Sequence, residues 1–264
     1  MPIVDSHCHA SECWYEPIEA LLEQMARSGV EQAILIQILG QYDNSYQVGC
    51  LRRFPGRFAS VVIVDTDQPD GPRALERLAE GGASGVRLRA TVRSPGDDPL
   101  AIWRAAERLG LAVSAPGSGE DFASDDFRQL VEALPRLKIV VEHYGGVQRP
   151  GAEPQPELRK RVYALARYPN VYIKIGGLGE IAQRAMPVRT PFPFVEPVPP
   201  IVEEIRAAFG AEKMMWGSDY PPVSQREGFG RALSYVRDRL VGASAAEQEL
   251  IFGGTALSVF PVRG

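Results

Sequence analysis

A short strand-like segment followed by a segment with helical spacing recurs eight times along the 264 residues of the chain, and several of the strand-like segments are near-continuous runs of Ile and Val. Strands that are apolar at every position are typical of a parallel sheet covered on both faces. Eight such units in about 260 residues predict a closed barrel rather than an open doubly wound sheet, since no Gly-x-Gly-x-x-Gly follows any strand. We therefore predict an α/β fold, a single and slightly distorted (β/α)₈ TIM barrel over residues 1–264.

The same pattern predicts where the elements begin and end. The predicted strands cover residues 4–9, 33–38, 59–64, 85–89, 111–115, 138–143, 170–175 and 213–219. The predicted helices cover residues 18–28, 45–54, 71–80, 99–109, 124–134, 156–167 and 201–209, and the segment after residue 219 is mostly helical. A Pro-rich stretch over residues 186–200 is predicted as a long loop after the seventh strand.

Charge and composition exclude several kinds of partner. The net charge is −4 and no block of like charges occurs, which argues against nucleic-acid binding. No apolar run approaches the roughly 18 residues of a membrane span, and no basic segment followed by an apolar stretch opens the chain. Neither membrane insertion nor secretion is therefore expected. Three cysteines without paired spacing favour a reduced, cytoplasmic setting.

The first predicted strand carries an Asp-x-His-x-His motif. Because side chains alternate across a strand, Asp5, His7 and His9 are expected on one face, and Val4, Ser6 and Cys8 on the other. An apolar interior does not favour three ionisable groups in succession on one face. A site that binds a metal or polarises a carbonyl requires such groups, so this strand is the first candidate for function.

Polar residues at the other strand ends indicate where the site lies. Active sites of barrels of this kind sit at the carboxyl ends of the strands. All three histidines of the chain are found at such ends. The polar residues at these ends are His7, His9, Gln37, Arg87, Arg89, His143, Lys174 and Asp219.

Strand parity predicts which of these side chains face the barrel mouth. Arg87 and Arg89 alternate with Val86 and Leu88, so the two guanidiniums face inward. Two inward arginines bind a substrate carboxylate or balance buried carboxylates, and the pattern leaves both roles open. Lys174 also faces inward, as an ion-pair partner or a substrate contact. The candidate substrate contacts are Arg87, Arg89, Gln37, Lys174 and Tyr144.

Two residues are candidates for the catalytic groups. His143 ends an apolar strand immediately before the Gly-rich turn at Tyr144. Asp219 precedes Pro221 and Pro222, which force the chain out of the strand, so its carboxylate is expected at the rim of the barrel. We expect catalytic roles for His143 and Asp219.

These residues carry a family resemblance. The segment from Val4 to His9, His143 after the sixth strand, and the run from Gly217 to Pro221 resemble the amidohydrolase superfamily. They look most like its "amidohydrolase 2" branch, which contains the 2-pyrone-4,6-dicarboxylate lactonase and sugar-lactonase group. The resemblance spans the whole chain. It implies a hydrolase that opens a lactone or a related ester or amide.

The resemblance also bears on a metal cofactor. Metal-dependent members usually place a histidine at the end of the fifth strand, where residues 112–117 contain none. A binuclear site is therefore not expected. One divalent ion, Zn or Mn, held by His7, His9 and Asp219 is one expectation. Metal-free catalysis is the other, because the branch includes members that lack a full ligand set.

The expected mechanism assigns Asp219 as the general base that removes a proton from water. Burial would raise the pKa of Asp219, whereas nearby Arg87, Arg89 and Lys174 would lower it. The histidines would polarise the carbonyl, and the arginines would bind an anionic small-molecule substrate. Metal-dependent non-oxidative decarboxylation of an aromatic or muconate-type acid is an alternative, as is a non-catalytic barrel that binds a small anion. Related barrels often associate, so a homo-oligomer is also expected.

Overall fold

Eight parallel strands form one sheet in the computed structural model, which describes residues 1–263. Each strand pairs with the next along the chain, so the predicted barrel order is confirmed. The single-domain extent stays a prediction, and residue 264 lies outside the described residues. The strands are β1 (Val4–Cys8), β2 (Gln32–Ile36), β3 (Phe58–Val62), β4 (Gly85–Arg87), β5 (Ala112–Ala115), β6 (Ile139–Val141), β7 (Val171–Ile175) and β8 (Met214–Trp216).

Helices follow the strands in alternation, as predicted. They are α1 (Ile18–Ser28), α2 (Ser45–Arg53), α3 (Gly71–Glu80), α4 (Ala101–Arg108), α5 (Gly119–Phe122), α6 (Asp125–Ala133), α7 (Pro156–Tyr163), α8 (Ile201–Phe209), α9 (Phe229–Arg239), α10 (Ala245–Glu249) and α11 (Thr255–Val259). The Pro-rich stretch lies in the loop between β7 and α8, as predicted. Across residues 1–263, every helix is too short or too polar to cross a membrane.

The barrel interior is filled by small and branched side chains from the strands and by the end of the chain. Phe260 follows α11 and packs with residues such as Ile34, Val140 and Met215. Gly85 on β4 makes room for this ring, because a Cβ there would lie 2.8 Å from Phe260 Cε1. The C-terminal segment therefore fills the interior opposite the strand ends that carry the histidines.

Strand β1 departs from regular alternation. Its register with β2 shifts between Asp5 and Cys8. Val4 consequently belongs to the barrel interior while Cys8 packs in the outer layer under the helices. The prediction that Val4 and Cys8 share a face is wrong, since a one-residue irregularity reverses the side-chain alternation. The shift puts His7 on the interior side, within reach of Lys174.

The barrel closes where the chain beyond β8 meets β1. Asp219 N–H donates to His7 O at 2.8 Å, and His9 N–H donates to Tyr220 O at 2.8 Å. These bonds continue the sheet past the last residue of β8. They place the side chains of His7 and His9 next to that of Asp219, although more than 200 residues separate Asp219 from the two histidines in sequence.

The buried carboxylate of Asp5 links β1 to the chain after β8. It accepts hydrogen bonds from Ser218 N–H at 2.8 Å, from Ser218 Oγ–H at 2.5 Å and from His7 N–H at 3.0 Å. Gly217 permits the close approach, because a Cβ there would lie 2.6 Å from His7 Cβ. Asp5 thus has a structural role that orients the histidine strand.

Replacing Asp5 is expected to destabilise the protein strongly. Asp5→Ala leaves three buried donors without an acceptor, and an unsatisfied buried donor costs about 1–3 kcal/mol, so we expect a loss of at least about 3 kcal/mol in the free energy of unfolding. The control Ser218→Ala keeps the backbone bond to Asp5 but removes the hydroxyl that donates to Asp5 and accepts from Tyr220 N–H, and it should cost about 1–2 kcal/mol. Urea denaturation followed by circular dichroism compares the two. Equal losses would contradict this role for Asp5.

Candidate active site

Three histidines and one aspartate converge at the carboxyl ends of the strands. His7 and His9 lie at the end of β1, His143 follows β6, and Asp219 follows β8. The ring of His7 lies 5.0 Å from that of His9 and 4.7 Å from that of His143, centroid to centroid. Asp219 Oδ1 is 3.9 Å from His7 Nε2 and 3.6 Å from His9 Nε2. The predicted catalytic and metal-ligand residues therefore form one cluster.

Two of these residues have unusual backbone conformations. His143 has φ of 50° and Asp219 has φ of 56°, values that L-residues rarely adopt. By strand parity His143 would follow Ile139 and Val141 into the outer layer, but the left-handed turn aims its ring over the barrel mouth instead. Such strained positions persist where the surrounding structure over-determines them, and they cluster at functional sites.

The two oxygens of Asp219 have different surroundings. Oδ2 accepts from both terminal nitrogens of Arg226 at 3.0 Å each, whereas Oδ1 faces the histidines. Burial raises the pKa of Asp219, but the charges of His143 and Arg226 lower it, and this pKa lies below its usual value. The sequence left the direction open, and Arg226 was not foreseen. Asp219 is therefore ionised at neutral pH, and Oδ1 is the oxygen left to act.

His143 is paired with a second carboxylate. Its Nδ1–H donates to Glu180 Oε2 at 3.0 Å, and its Nε2 lies 3.7 Å from Glu142 Oε2. Burial lowers the pKa of His143, but the ion pair with Glu180 and the nearby Asp219 raise it to about 9. Its side chain is 37% exposed, so a charged imidazolium faces the mouth at neutral pH.

A chain of buried polar groups supports the cluster from below. Glu142 accepts from Arg87 Nε at 3.2 Å, from Arg87 Nη2 at 2.9 Å and from Ser114 Oγ–H at 2.6 Å. Lys174 Nζ lies 2.8 Å from Ser114 Oγ and 3.2 Å from His7 Nδ1. Burial raises the pKa of Glu142, but Arg87 and Lys174 bring it to about 2. Burial lowers the pKa of Lys174 to about 8, against the attraction of Glu142.

Most of the predicted substrate contacts are engaged within the protein. The side-chain amide of Gln37 donates to Asp43 O at 2.7 Å, and the Tyr144 hydroxyl donates to Gly176 O at 2.5 Å. Arg87 forms an ion pair with the buried carboxylate of Glu142. This is the charge-balancing role, one of the two roles that the sequence pattern left open. Lys174 is likewise buried within its hydrogen-bonded chain. A substrate role for these residues stays a prediction.

Arg89 lies in a different environment from Arg87. It is exposed and lines a cavity of about 270 Å³ beside the barrel mouth. Tyr42 and Thr66 also line this cavity, and Arg87 forms part of its wall. Arg89 therefore presents a guanidinium to a space large enough for part of a small ligand.

Four residues of the cluster were missed by the sequence reasoning. Ser114 lies on β5 and Glu142 directly follows β6, and both are buried. Alternation with the outer-layer residue Val141 was a signal for Glu142. Glu180 and Arg226 lie in loops after β7 and β8. No periodic pattern marks a loop residue, so the sequence held no comparable signal for these two.

The cluster fits one divalent metal ion in position and in chemistry. His7, His9 and Asp219 each offer one ligand atom within 4.8 Å of the others. His7 Nε2 is buried and has no hydrogen-bond partner among the described residues. His9 Nδ1–H donates to Ile36 O at 2.7 Å, which leaves its Nε2 lone pair toward Asp219. Two imidazoles and a carboxylate are a donor set that Zn and Mn accept.

Comparison with known proteins assigns the family. The profile of the family described as "Amidohydrolase" matches residues 4–262. An L-fucono-1,5-lactonase from Burkholderia ambifaria is 30% identical over 256 residues, which cover 90% of this chain and 82% of that protein. This chain belongs to the amidohydrolase family, which confirms the predicted resemblance and the prediction of an amidohydrolase-type hydrolase.

Solved structures support the fold. A protein from Pseudomonas putida assigned as a 2-pyrone-4,6-dicarboxylic acid hydrolase has a TM-score of 0.73 and 24% identity, over 98% of this chain and 97% of that one. A zinc-bound amidohydrolase from Burkholderia multivorans has a TM-score of 0.78 and 20% identity, over 99% of this chain and 100% of that one. At these identities the likeness concerns the fold alone.

The ion pair with Glu180 predicts an abnormal titration of His143. Proton NMR of the three imidazoles should give a pKa of about 9 for His143. Glu180→Gln removes the carboxylate that raises this pKa, so the value should fall toward 6.5, by about 1–2 pH units. Glu153→Gln, an exposed loop variant, is the control and should leave it unchanged. A His143 pKa that is the same in both variants would rule out Glu180 as the cause.

Proposed function

We propose that this protein hydrolyses the lactone ring of a small molecule by attack of water, with Asp219 as general base. The observation that carries this proposal is that the two carboxylate oxygens of Asp219 have different partners. One carboxylate oxygen is clamped by Arg226 and the other faces the histidine cluster. The similarity to an L-fucono-1,5-lactonase over 90% of the chain supports the choice of a lactone.

The first step would be proton removal from water by Asp219 Oδ1 as the water oxygen bonds to the lactone carbonyl carbon. A carboxylate with a lowered pKa is a weak base, so the reaction depends on an activated carbonyl. The imidazolium of His143 supplies that activation, because its Nε2–H can donate to the oxygen on which negative charge develops. The tetrahedral intermediate would then expel the ring oxygen, and Asp219 would return the proton to it.

A divalent metal, when bound, would be held by His7, His9 and Asp219 and would act as a Lewis acid that lowers the pKa of water. The residue roles above do not change with it. Asp219 remains the group that accepts and returns the proton, and His143 remains the charged donor, with its ring 4.7 Å from that of His7.

We further propose that the substrate is anionic and that Arg89 binds its carboxylate. Arg89 is exposed in a cavity next to the mouth, while Arg87 is already paired with Glu142. A guanidinium binds a carboxylate in a bidentate manner. The cytoplasmic location and the homo-oligomer stay predictions.

Asp219→Asn tests the base. We expect a loss of about 10²- to 10⁴-fold in kcat, the usual contribution of general-base catalysis. Turnover is measured by pH-indicator assay on a panel of aldonolactones and dicarboxylate lactones, with Asp238→Asn on the exposed face of α9 as the control. Undiminished hydrolysis in Asp219→Asn would refute the mechanism. Carbon dioxide release from aromatic or muconate-type acids, without ring opening, would favour the decarboxylase, and tight binding without turnover would favour the non-catalytic barrel.

Arg89→Met tests the anion site. For a carboxylated lactone we expect KM to rise about tenfold with kcat nearly unchanged, since a charge-assisted hydrogen bond is worth about 1.5–3 kcal/mol and exposure reduces it. For a neutral lactone of similar size, KM should be the same in the variant as in the wild type. Arg77→Met on α3 serves as the control for a general loss of positive charge. Equal KM changes for the charged and neutral lactones would contradict carboxylate recognition by Arg89.

A further inference from the structure

The two histidines of the first strand make opposite kinds of hydrogen bond through Nδ1. His9 Nδ1 lies 2.7 Å from the carbonyl oxygen of Ile36, which can only accept. His9 therefore carries its proton on Nδ1 and presents a lone pair on Nε2. His7 Nδ1 instead lies 3.2 Å from Lys174 Nζ. The direction of that second bond decides what His7 presents to the mouth.

The neighbouring groups determine the direction. Glu142 is ionised and paired with Arg87, so its carboxylate can only accept hydrogen bonds. The Ser114 hydroxyl donates its single proton to Glu142 Oε1 at 2.6 Å. Lys174 Nζ must then donate to Ser114 Oγ at 2.8 Å. An ammonium group has three donors and no acceptor, so it also donates to His7 Nδ1.

We propose that Lys174 is a positioning residue that holds His7 in the tautomer protonated at Nε2, and that it thereby weakens divalent metal binding at His7, His9 and Asp219. The strand then offers one donor, His7 Nε2–H, and one acceptor, His9 Nε2. His7 Nε2 is buried, faces Asp219 Oδ1 at 3.9 Å and has no partner among the described residues, so its proton is available to a substrate oxygen.

The hydrogen bond from Lys174 to His7 Nδ1 would weaken metal binding in two ways. A metal ligand must present a lone pair, and a proton on His7 Nε2 occupies that position. The ammonium of Lys174, on the Nδ1 side of the same imidazole ring, would also repel a cation held at Nε2. In the usual arrangement a metal-bound histidine donates its other N–H to a carboxylate or carbonyl, as His9 does to Ile36. Lys174 reverses that arrangement at His7.

The tautomer is measured directly on the wild-type chain. Long-range ¹H–¹⁵N spectra of metal-stripped, ¹⁵N-labelled protein distinguish a protonated ring nitrogen from an unprotonated one. The chain has three histidines, so single His→Gln variants assign the signals. We expect His7 to be protonated on Nε2 and His9 on Nδ1. A proton on Nδ1 of His7 would overturn the proposal.

Metal affinity tests the consequence. Lys174→Met keeps the length of the buried stem, next to the Phe260 ring, and removes the donor. Zinc titrated against a chromophoric chelator should bind this variant about 10- to 100-fold more tightly than the wild type, the range found for groups that orient metal ligands. Lys138→Met, at an exposed lysine bonded to Ser258 O, is the control and should bind as the wild type does.

Unchanged zinc affinity in a folded Lys174→Met variant would refute the effect on metal binding. If this variant does not fold, the wild-type spectrum alone tests the proposal, because a proton on Nδ1 of His7 is incompatible with a hydrogen bond donated by Lys174. The inference rests on the proposed function for the catalytic meaning of the His7 donor. Neither readout measures turnover, however, so failure of the lactone panel and failure of this inference are distinguishable.

Discussion

The seam between the first and the last strand is the contact on which the site depends. Backbone hydrogen bonds and the buried Asp5 carboxylate join β1 to the chain after β8. Only this closure brings His7 and His9 beside Asp219. The rest of the barrel serves the same purpose, because each strand end can contribute one side chain to a shared mouth when the sheet is closed. Gly217 is the small residue that lets the two ends meet.

Buried charge is tolerated here because every group has a partner of opposite sign or a hydrogen-bond donor. Glu142 stays ionised in the interior since Arg87 and Lys174 offset its desolvation. Glu180 offsets the desolvation of His143 and raises its pKa, which keeps this histidine charged. The mouth thus combines an ionised base with a charged donor a few ångströms apart. Without their partners, desolvation would neutralise both groups.

Alternation along the strands predicted much of this arrangement. It correctly turned Lys174 inward and Leu88 into the outer layer. It failed at β1, where a register shift separates Val4 from Cys8. It also missed that a left-handed turn, not strand parity, aims His143 at the mouth. Both failures have one physical origin: parity describes regular strands, and bulges or strained turns at their ends override it.

The sequence by itself determined the barrel, the order of its strands, the family and the identity of the histidines and the aspartate at the mouth. These follow from local periodicity and from a motif within a few residues. The tertiary structure alone decided how those groups are protonated and held. Arg226 lowers the pKa of Asp219 and Lys174 donates to His7, across contacts that no spacing in the chain encodes. Protonation depends on desolvation and on charges a few ångströms away, and only folding brings these together.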